Sequence, residues 1–463
     1  MLVDRIFTPG LAQVAYFVAD EDAGEAAIID PRRDTEVYQA WCDERGWRVT
    51  AILETHVHAD FVSGALEMAR VTGAPLYASR LGNQDLPHTP VDDGDDITIG
   101  SLILRALWSP GHTPEHLSYL LIDPERGRDP VALFSGDALF VGEVGRPDLL
   151  GEDETQRLAS QLYDTIANRF ARLDDTVVVY PGHTAGSACG KKIGDAPHST
   201  IGEEKRSNYA FQSTHEHEFV TTVLQDMPTP PTYYPVLKRV NKAGAQLLIE
   251  LDHGHALTAL DVTNLQETGA LIVDTRTPDA FGNGHIPGAV FAGLGPNFTT
   301  WMGWLAPYDR DLVLILDADE EYTDALTELH RIGLDRVAGY LAGGMGAWRA
   351  AGKDIACLPQ CTVHDLARRL ASPDHGLLVL DVRSDDEWNE GYIAGARHRF
   401  AGEIAQGAAP PVDRETPVAV ICGSGYRSSV AASLLQQRGY DRLINITGGM
   451  GAWNEANLPT IDS

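Results

Sequence analysis

Along the first half of the chain, short apolar runs of strand length repeatedly end on a histidine or an aspartate. Ala51-Ile52-Leu53-Glu54-Thr55 delivers His56, and Leu102 to Trp108 leads to Gly111-His112. Val131-Ala132-Leu133-Phe134 runs through Ser135-Gly136 to Asp137, and Val177-Val178-Val179-Tyr180 runs through Pro181-Gly182 to His183. Apolar runs rich in β-branched and aromatic residues and bounded by glycine or proline predict strands. Layered α/β architectures gather functional groups at strand ends, because the sheet is rigid and its loops carry the chemistry. Four strand ends are therefore predicted to bring ligand-type side chains to one place.

The second half follows a different pattern. Short β-branched runs alternate with helical periodicity, as in Val418-Ala419-Val420-Ile421 followed by an amphipathic segment from Ser428 to Arg438. Such alternation predicts parallel sheets flanked by helices. The pattern occurs twice: Ala342-Gly343-Gly344-Met345-Gly346-Ala347-Trp348 returns as Thr447-Gly448-Gly449-Met450-Gly451-Ala452-Trp453. Leu271-Ile272-Val273-Asp274-Thr275-Arg276 likewise answers Leu378-Val379-Leu380-Asp381-Val382-Arg383. An offset of 105 residues for the first motif and 107 for the second is a whole domain rather than a solenoid unit. Upstream lies Met227-Pro228-Thr229-Pro230-Pro231-Thr232-Tyr233-Tyr234-Pro235, which cannot continue a helix or a central strand. The expected division is 1–245, 246–356 and 357–463.

Composition narrows the partners. A formal charge of −30 argues against nucleic acid or an anionic membrane surface, since either requires a concentrated cationic face. The start Met1-Leu2-Val3-Asp4-Arg5 meets an acid before any long apolar run, so a cytoplasmic protein without a secretory signal is expected. Cys42, Cys189, Cys357, Cys361 and Cys422 are too few and scattered for a disulfide scaffold, and none stands at zinc-knuckle spacing.

Thr55-His56-Val57-His58-Ala59-Asp60, with His112, Asp137 and His183 arriving from separate strands, points to a metal centre. The order T-H-x-H-x-D, G-H-T, S-G-D and P-G-H resembles the metallo-β-lactamase superfamily, which implies an αββα sandwich for the first half. Binuclear thioester hydrolases of the glyoxalase II type carry a further histidine after the last aspartate of the first motif. Here that position is Phe61, which favours a mononuclear site. The mononuclear branch it is similar to is the persulfide dioxygenases, and the resemblance implies one Fe(II) per chain on His56, His112 and Asp137. Two imidazoles and a carboxylate on one face leave positions open for O2 and a thiolate-like substrate. His58, Asp60 and His183 are then expected to orient ligands or water, although an H-x-H pair could also place both rings on the metal. Arg146, Lys205 and Arg206 lie in segments that also look like those dioxygenases and are candidates to meet the carboxylates of a glutathione-like carrier. Cys189 is expected to be buried and inert.

Cys422-Gly423-Ser424-Gly425-Tyr426-Arg427 follows one strand and precedes a helix. Its glycines let backbone N–H groups turn toward one centre, and the helix N-terminus adds its positive end, so an anion at the Cys422 sulfur is stabilised. The loop resembles the active loop of the rhodanese family, which implies that Cys422 carries sulfane sulfur and that Arg427 holds an anionic donor. Counting back from the repeated G-G-M-G-A-W motif puts Asp317 where the last domain has Cys422, so the central copy is expected to be inactive.

Together these point to persulfide oxidation to sulfite coupled to sulfur transfer among persulfide, thiosulfate, sulfite and thiol. A zinc-dependent glutathione thioester hydrolase and a non-enzymatic sulfur carrier are the alternatives. A homo-oligomer is left open.

Overall fold

The computed structural model describes residues 1–372 and 376–461. They form two compact units, Met1–Leu251 with His330–Gly333, and Asp252–Leu329 with Leu334 onward. Among the described residues no helix is long and apolar enough to cross a membrane.

The first unit contains two six-stranded sheets. One orders its strands as Leu2–Thr8, Gln13–Asp20, Glu25–Ile29, Arg48–Leu53, Leu76–Ser79 and Thr89–Val91. The other runs Ser199–Thr200, Val178–Pro181, Pro130–Gly136, Leu117–Ile122, Leu102–Trp108 and Asp96–Ile99. Gln13–Asp20 shows why they stack. Val14, Tyr16 and Val18 point between the sheets toward Leu104, Tyr119 and Phe134. Ala15, Phe17 and Ala19 point the other way, onto Tyr38 and Trp41 of helix Glu36–Arg45. Successive side chains alternate faces, so a strand covered on both sides must be nearly apolar throughout. On the far side Leu133 and Val179 meet Leu162 of helix Glu152–Asp164 and Phe219 of helix Glu216–Leu224. The result is the expected αββα sandwich. Parallel strands Glu25–Ile29 and Arg48–Leu53 run out into Asp30 and His56, and parallel strands Pro130–Gly136 and Val178–Pro181 into Asp137 and His183.

The proline-rich stretch departs from expectation at one end. Helix Tyr234–Ala243 begins inside it, with Pro235 in the first turn. A proline is tolerated there because the first N–H groups of a helix have no partner within it.

The second unit holds two five-stranded parallel sheets of identical order. One is His255–Leu257, Val337–Leu341, Leu312–Ile315, Leu271–Asp274 and Val290–Phe291. The other is Gln360–Thr362, Leu443–Thr447, Val418–Ile421, Leu378–Asp381 and Arg397–His398. The repeated D-x-R motif is a staple in both. Arg276 clamps Asp274 and donates to Gly284 O, and Arg383 clamps Asp381 and donates to Gly391 O.

Sheet register corrects the Asp317 assignment. Asp274 pairs with Ile315 as Asp381 pairs with Ile421, so the residue equivalent to Cys422 is Leu316. Close contacts agree: a Cβ on Gly344 would meet Leu316 O, and one on the matching Gly449 would meet Cys422 O. A bulge between Leu312 and Val313, facing Val337 and Gly339, adds one residue to the central copy. The count from the G-G-M-G-A-W motif therefore slips by one. The helix after Cys422 also differs from expectation. It spans Tyr426–Gln437 and is buried at every position from Ser428 to Leu435, because it lies between its own sheet and the central copy, where its Ser433 Oγ accepts from Phe291 N.

Candidate metal centre and sulfur-transfer loop

His56, His112 and Asp137 come together, each buried, with one ligand atom apiece within 4.8 Å of the others. Each is oriented by a partner on its far side. Thr55 Oγ1 donates to Asp30 Oδ2 at 2.7 Å and so offers a lone pair to His56 Nδ1–H at 2.9 Å. His112 Nδ1–H donates to Arg146 O at 2.9 Å. Asp137 Oδ1 accepts from His183 Nδ1 at 2.8 Å. These bonds leave His56 Nε2, His112 Nε2 and Asp137 Oδ2 facing one another, with His112 Nε2 3.5 Å and His56 Nε2 3.9 Å from Asp137 Oδ2. His56 Nε2 and Asp137 Oδ2 are buried without a hydrogen-bond partner. A buried polar atom left unpaired is costly, and convergent lone pairs with fixed tautomers are what a divalent metal requires. Burial holds both imidazoles below their ordinary pKa, which keeps those lone pairs available. The residues fit a metal.

His58, Asp60 and His183 fall into two neighbouring buried groups with metal-ligating side chains, Asp30–Glu54–His58 and Asp60–His183–Cys189. His58 Nε2 turns to Asp30 at 3.2 Å and Glu54 at 3.5 Å. Although burial opposes its charge, Asp30 and Glu54 push His58 up to about 9. His183 spans two carboxylates, Nδ1 on Asp137 and Nε2 on Asp60 at 2.7 Å. Burial opposes its charge as well, yet Asp137 and Asp60 hold it well above the ordinary histidine value. Phe61 is fully buried and packs on the His58 ring. Cys189 groups with Asp60 and His183; burial, then the Asp60 and Asp137 carboxylates, raise its thiol well above the ordinary range.

Two residues of the site escaped the sequence reading. Asp30 ends an apolar strand as His56 does, and the Ile28-Ile29-Asp30 pattern could have flagged it. His116 stands four residues after His112, its Nε2 accepting from Asp137 N at 3.1 Å and its Nδ1 bonded to Ser109 Oγ. The expected carrier-binding cations are placed otherwise. Arg146 is fully buried, its guanidinium taken by Asp148, Ala188 O and Pro228 O, so it braces loops and cannot meet a carrier carboxylate. Lys205 is held by Asp175 and Leu173 O, and Arg206 is exposed on the same helix, Ile201–Ser207.

Cys422 is buried at the strand end. Gly425 N donates to its Sγ at 3.1 Å, and Ser428 Oγ lies 3.5 Å away. Gly425 reaches this position at φ 104°, a conformation open to glycine. Ser428 in turn donates to Asn445 Oδ1, a residue with no sequence signal. Arg427 pairs with Glu387 through both oxygens at 2.5 and 2.6 Å. Burial would raise Glu387, but Arg427 outweighs it and lowers the acid to about 2. Tyr426 points away, its hydroxyl on Gly293 O, while Gly423 and Ser424 complete the turn. In the central copy the same turn is closed by its own acids: Glu321 accepts from the N–H groups of Asp317 and Ala318, and Asp319 from that of Gly343.

Comparison with known proteins agrees with both halves. Residues 8–183 match the metallo-beta-lactamase superfamily, and residues 258–351 and 362–456 each match the rhodanese-like domain. A hydroxyacylglutathione hydrolase of Polaromonas sp. is 35% identical over 187 residues, covering 40% of this chain and 66% of that protein. The mitochondrial persulfide dioxygenase ETHE1 of Homo sapiens is 32% identical over 186 residues, covering 40% of this chain and 68% of that protein. The match thus spans about two thirds of these curated relatives. A solved metallo-beta-lactamase from Staphylococcus aureus is 35% identical with a TM-score of 0.66, covering 74% of this chain and 98% of that one.

Proposed function

Because the chain belongs to the metallo-β-lactamase superfamily and carries two rhodanese-like domains behind that fold, we propose that it oxidises a low-molecular-weight persulfide at one Fe(II) per chain and exchanges sulfane sulfur at Cys422. In this reading the domains are 1–245, 246–356 and 357–463, and the protein works in the cytoplasm. The balanced reaction is RSSH + O2 + H2O giving RSH, sulfite and two protons.

The observation that carries the proposal is the convergence of donor atoms on His56, His112 and Asp137, of which His56 Nε2 and Asp137 Oδ2 lack a partner. His183 is tied to Asp137 and Asp60 through both nitrogens, and Phe61 fills the position of a further ligand. Bound there, ferrous iron supplies the redox capacity to bring O2 and a sulfur anion together, which a zinc ion lacks. Thr55 and the Arg146 carbonyl hold the two imidazoles in the ligating tautomer, and His183 fixes the Asp137 carboxylate. At the other site the Cys422 thiolate attacks the outer sulfur of thiosulfate. The S–S bond breaks with release of sulfite, and a thiolate then removes the sulfur from Cys422 as a new persulfide. Gly425 N–H stabilises the anionic sulfur, and Arg427, oriented by Glu387 through both terminal nitrogens, offers its remaining N–H groups to the sulfonate. Glutathione persulfide is the leading substrate, and thiosulfate or sulfite the partner of the second site.

A second reading, zinc-dependent hydrolysis of a glutathione thioester, draws on the comparable identity to the hydroxyacylglutathione hydrolase. Oxygen uptake by anaerobically iron-loaded protein with glutathione persulfide, beside a thioesterase assay of zinc-loaded protein, separates the two. We expect about one iron per chain, oxygen uptake, and loss of both in His56→Ala, His112→Ala and Asp137→Ala, since three ligands leave none to spare. Two zinc ions per chain with thioesterase activity would reverse the conclusion.

A further inference from the structure

Asp30, Asp60, Glu115 and Asp137 are buried around the metal cluster, in a chain whose formal charge is −30. Burial pushes Glu54 up to about 8 and so favours its neutral form, and His58 and His183 carry positive charge that offsets part of this field. A persulfide is an anion at neutral pH, and a glutathione-like carrier adds carboxylates. His58 and His183 are already engaged by Asp30, Glu54, Asp60 and Asp137, so recognising such a ligand calls for a further cation that is not yet paired. Arg146 is consumed by Asp148 and two carbonyls, and Lys205 by Asp175.

Helix Tyr234–Ala243 supplies another. Residues three and four apart share a helix face, so Tyr234, Lys238 and Asn241 form one stripe, and both ends of that stripe are anchored at the site. Tyr234 OH lies 3.9 Å from the Sγ of Cys189, which groups with Asp60 and His183. Asn241 Nδ2 donates to His58 O at 2.9 Å and to Phe61 O at 2.7 Å, and its Oδ1 accepts from Ser63 N. Lys238 therefore lies on that stripe between two residues that are themselves anchored at the site. Its charge acts on both His56 and His112, and it is itself influenced by Glu115 and Cys189. No described residue forms a hydrogen bond or ion pair with its ammonium. Burial depresses its pKa from the ordinary lysine value, a cost that an arriving anion would relieve.

We propose that Lys238 is the anion-recognition residue of the metal cleft, pairing with the anionic sulfur or the carboxylate of the persulfide carrier. This rests on the persulfide reading for the identity of the ligand, but not for the existence of the site. The test is titration calorimetry under anaerobic conditions, on iron-loaded and on metal-free full-length protein, with two probes. Sulfite is a sulfur anion without a carboxylate, and S-methylglutathione keeps the carboxylates without an ionisable sulfur. Lys238→Gln should weaken at least one probe by roughly tenfold or more, the loss expected for one charge-assisted hydrogen bond. Lys238→Arg should restore much of the binding, with iron content and melting temperature unchanged in both variants. Weakening of sulfite would assign Lys238 to the sulfur terminus, and weakening of S-methylglutathione to the carrier. In turnover the glutamine variant should raise KM more than it lowers kcat. Unchanged affinity for both probes in a folded, metal-competent Lys238→Gln protein would overturn the proposal. If wild-type protein consumed no oxygen with any persulfide while anion binding still depended on Lys238, the dioxygenase reading would fall and this one would stand.

Discussion

His116 shows how one buried imidazole couples acid stability to the metal cluster. Burial holds it down at about 3, neutral, so that its Nε2 can accept from Asp137 N while Nδ1–H donates to Ser109. An unfolded histidine titrates near 6.5, so between about pH 6.5 and pH 3 the unfolded chain takes up a proton that the folded chain refuses. This contribution is fully present above the unfolded value and is lost as pH falls through that window. The urea midpoint of the wild type should therefore drop between about pH 7 and pH 5, and that of His116→Gln should drop less. Parallel losses in the two proteins would remove His116 from the account.

At the scale of elements, the loops are held by few but expensive contacts. Asn241 ties helix Tyr234–Ala243 to the first-motif loop through three hydrogen bonds in a buried position. Asn241→Ala leaves His58 O and Phe61 O unpaired and should cost about 2–4 kcal/mol in denaturant unfolding, with weaker metal retention. Metal affinity equal to wild type would show that the helix does not support the ligand loop. In the last domain, Gly449 sits at φ +56°, and a Cβ there would lie 2.3 Å from Cys422 O. Gly449→Ala should push the Cys422 loop out of register and cost about 2 kcal/mol or more. Loss of sulfur transfer with persulfide oxidation retained is the expected readout, and a fully active variant would contradict it.

For the whole molecule, the question is whether one or both repeated domains carry sulfur. Leu316 occupies the Cys422 position and is buried and apolar, and the turn beyond it spends its N–H groups on Glu321 and Asp319. The central domain instead packs against the last one, through Phe291 N on Ser433 and Tyr426 OH on Gly293 O. Cys422→Ser should abolish thiosulfate-to-thiol transfer while iron content and persulfide oxidation stay near wild type. Adding Leu316→Cys to that variant should not restore transfer, because the acids fill the place of an anion cradle. Substantial residual transfer in Cys422→Ser alone would move the sulfur-carrying role to Cys189 or the central domain.

How far these features were legible before folding depends on whether they are local. The αββα and parallel-sheet architectures, the repeat, and the clustering of His56, His112 and Asp137 follow from strand patterns and motifs, since each strand end carries its own chemistry and the sheets align those ends. Contacts built by sheet register or packing were not legible. The bulge that moves the Cys422 equivalent from Asp317 to Leu316 is a pairing event between strands. The burial of the Tyr426–Gln437 helix on nearly all sides comes from a neighbouring domain. Arg146 looked like a substrate cation and is instead a brace, while Lys238, on a helix that starts amid prolines, shares a stripe with two residues anchored at the site. A sequence records that a side chain can be charged. Only the tertiary structure decides whether that charge is already neutralised by a neighbouring carboxylate, as at Arg146 with Asp148, or left without one among the described residues, as at Lys238.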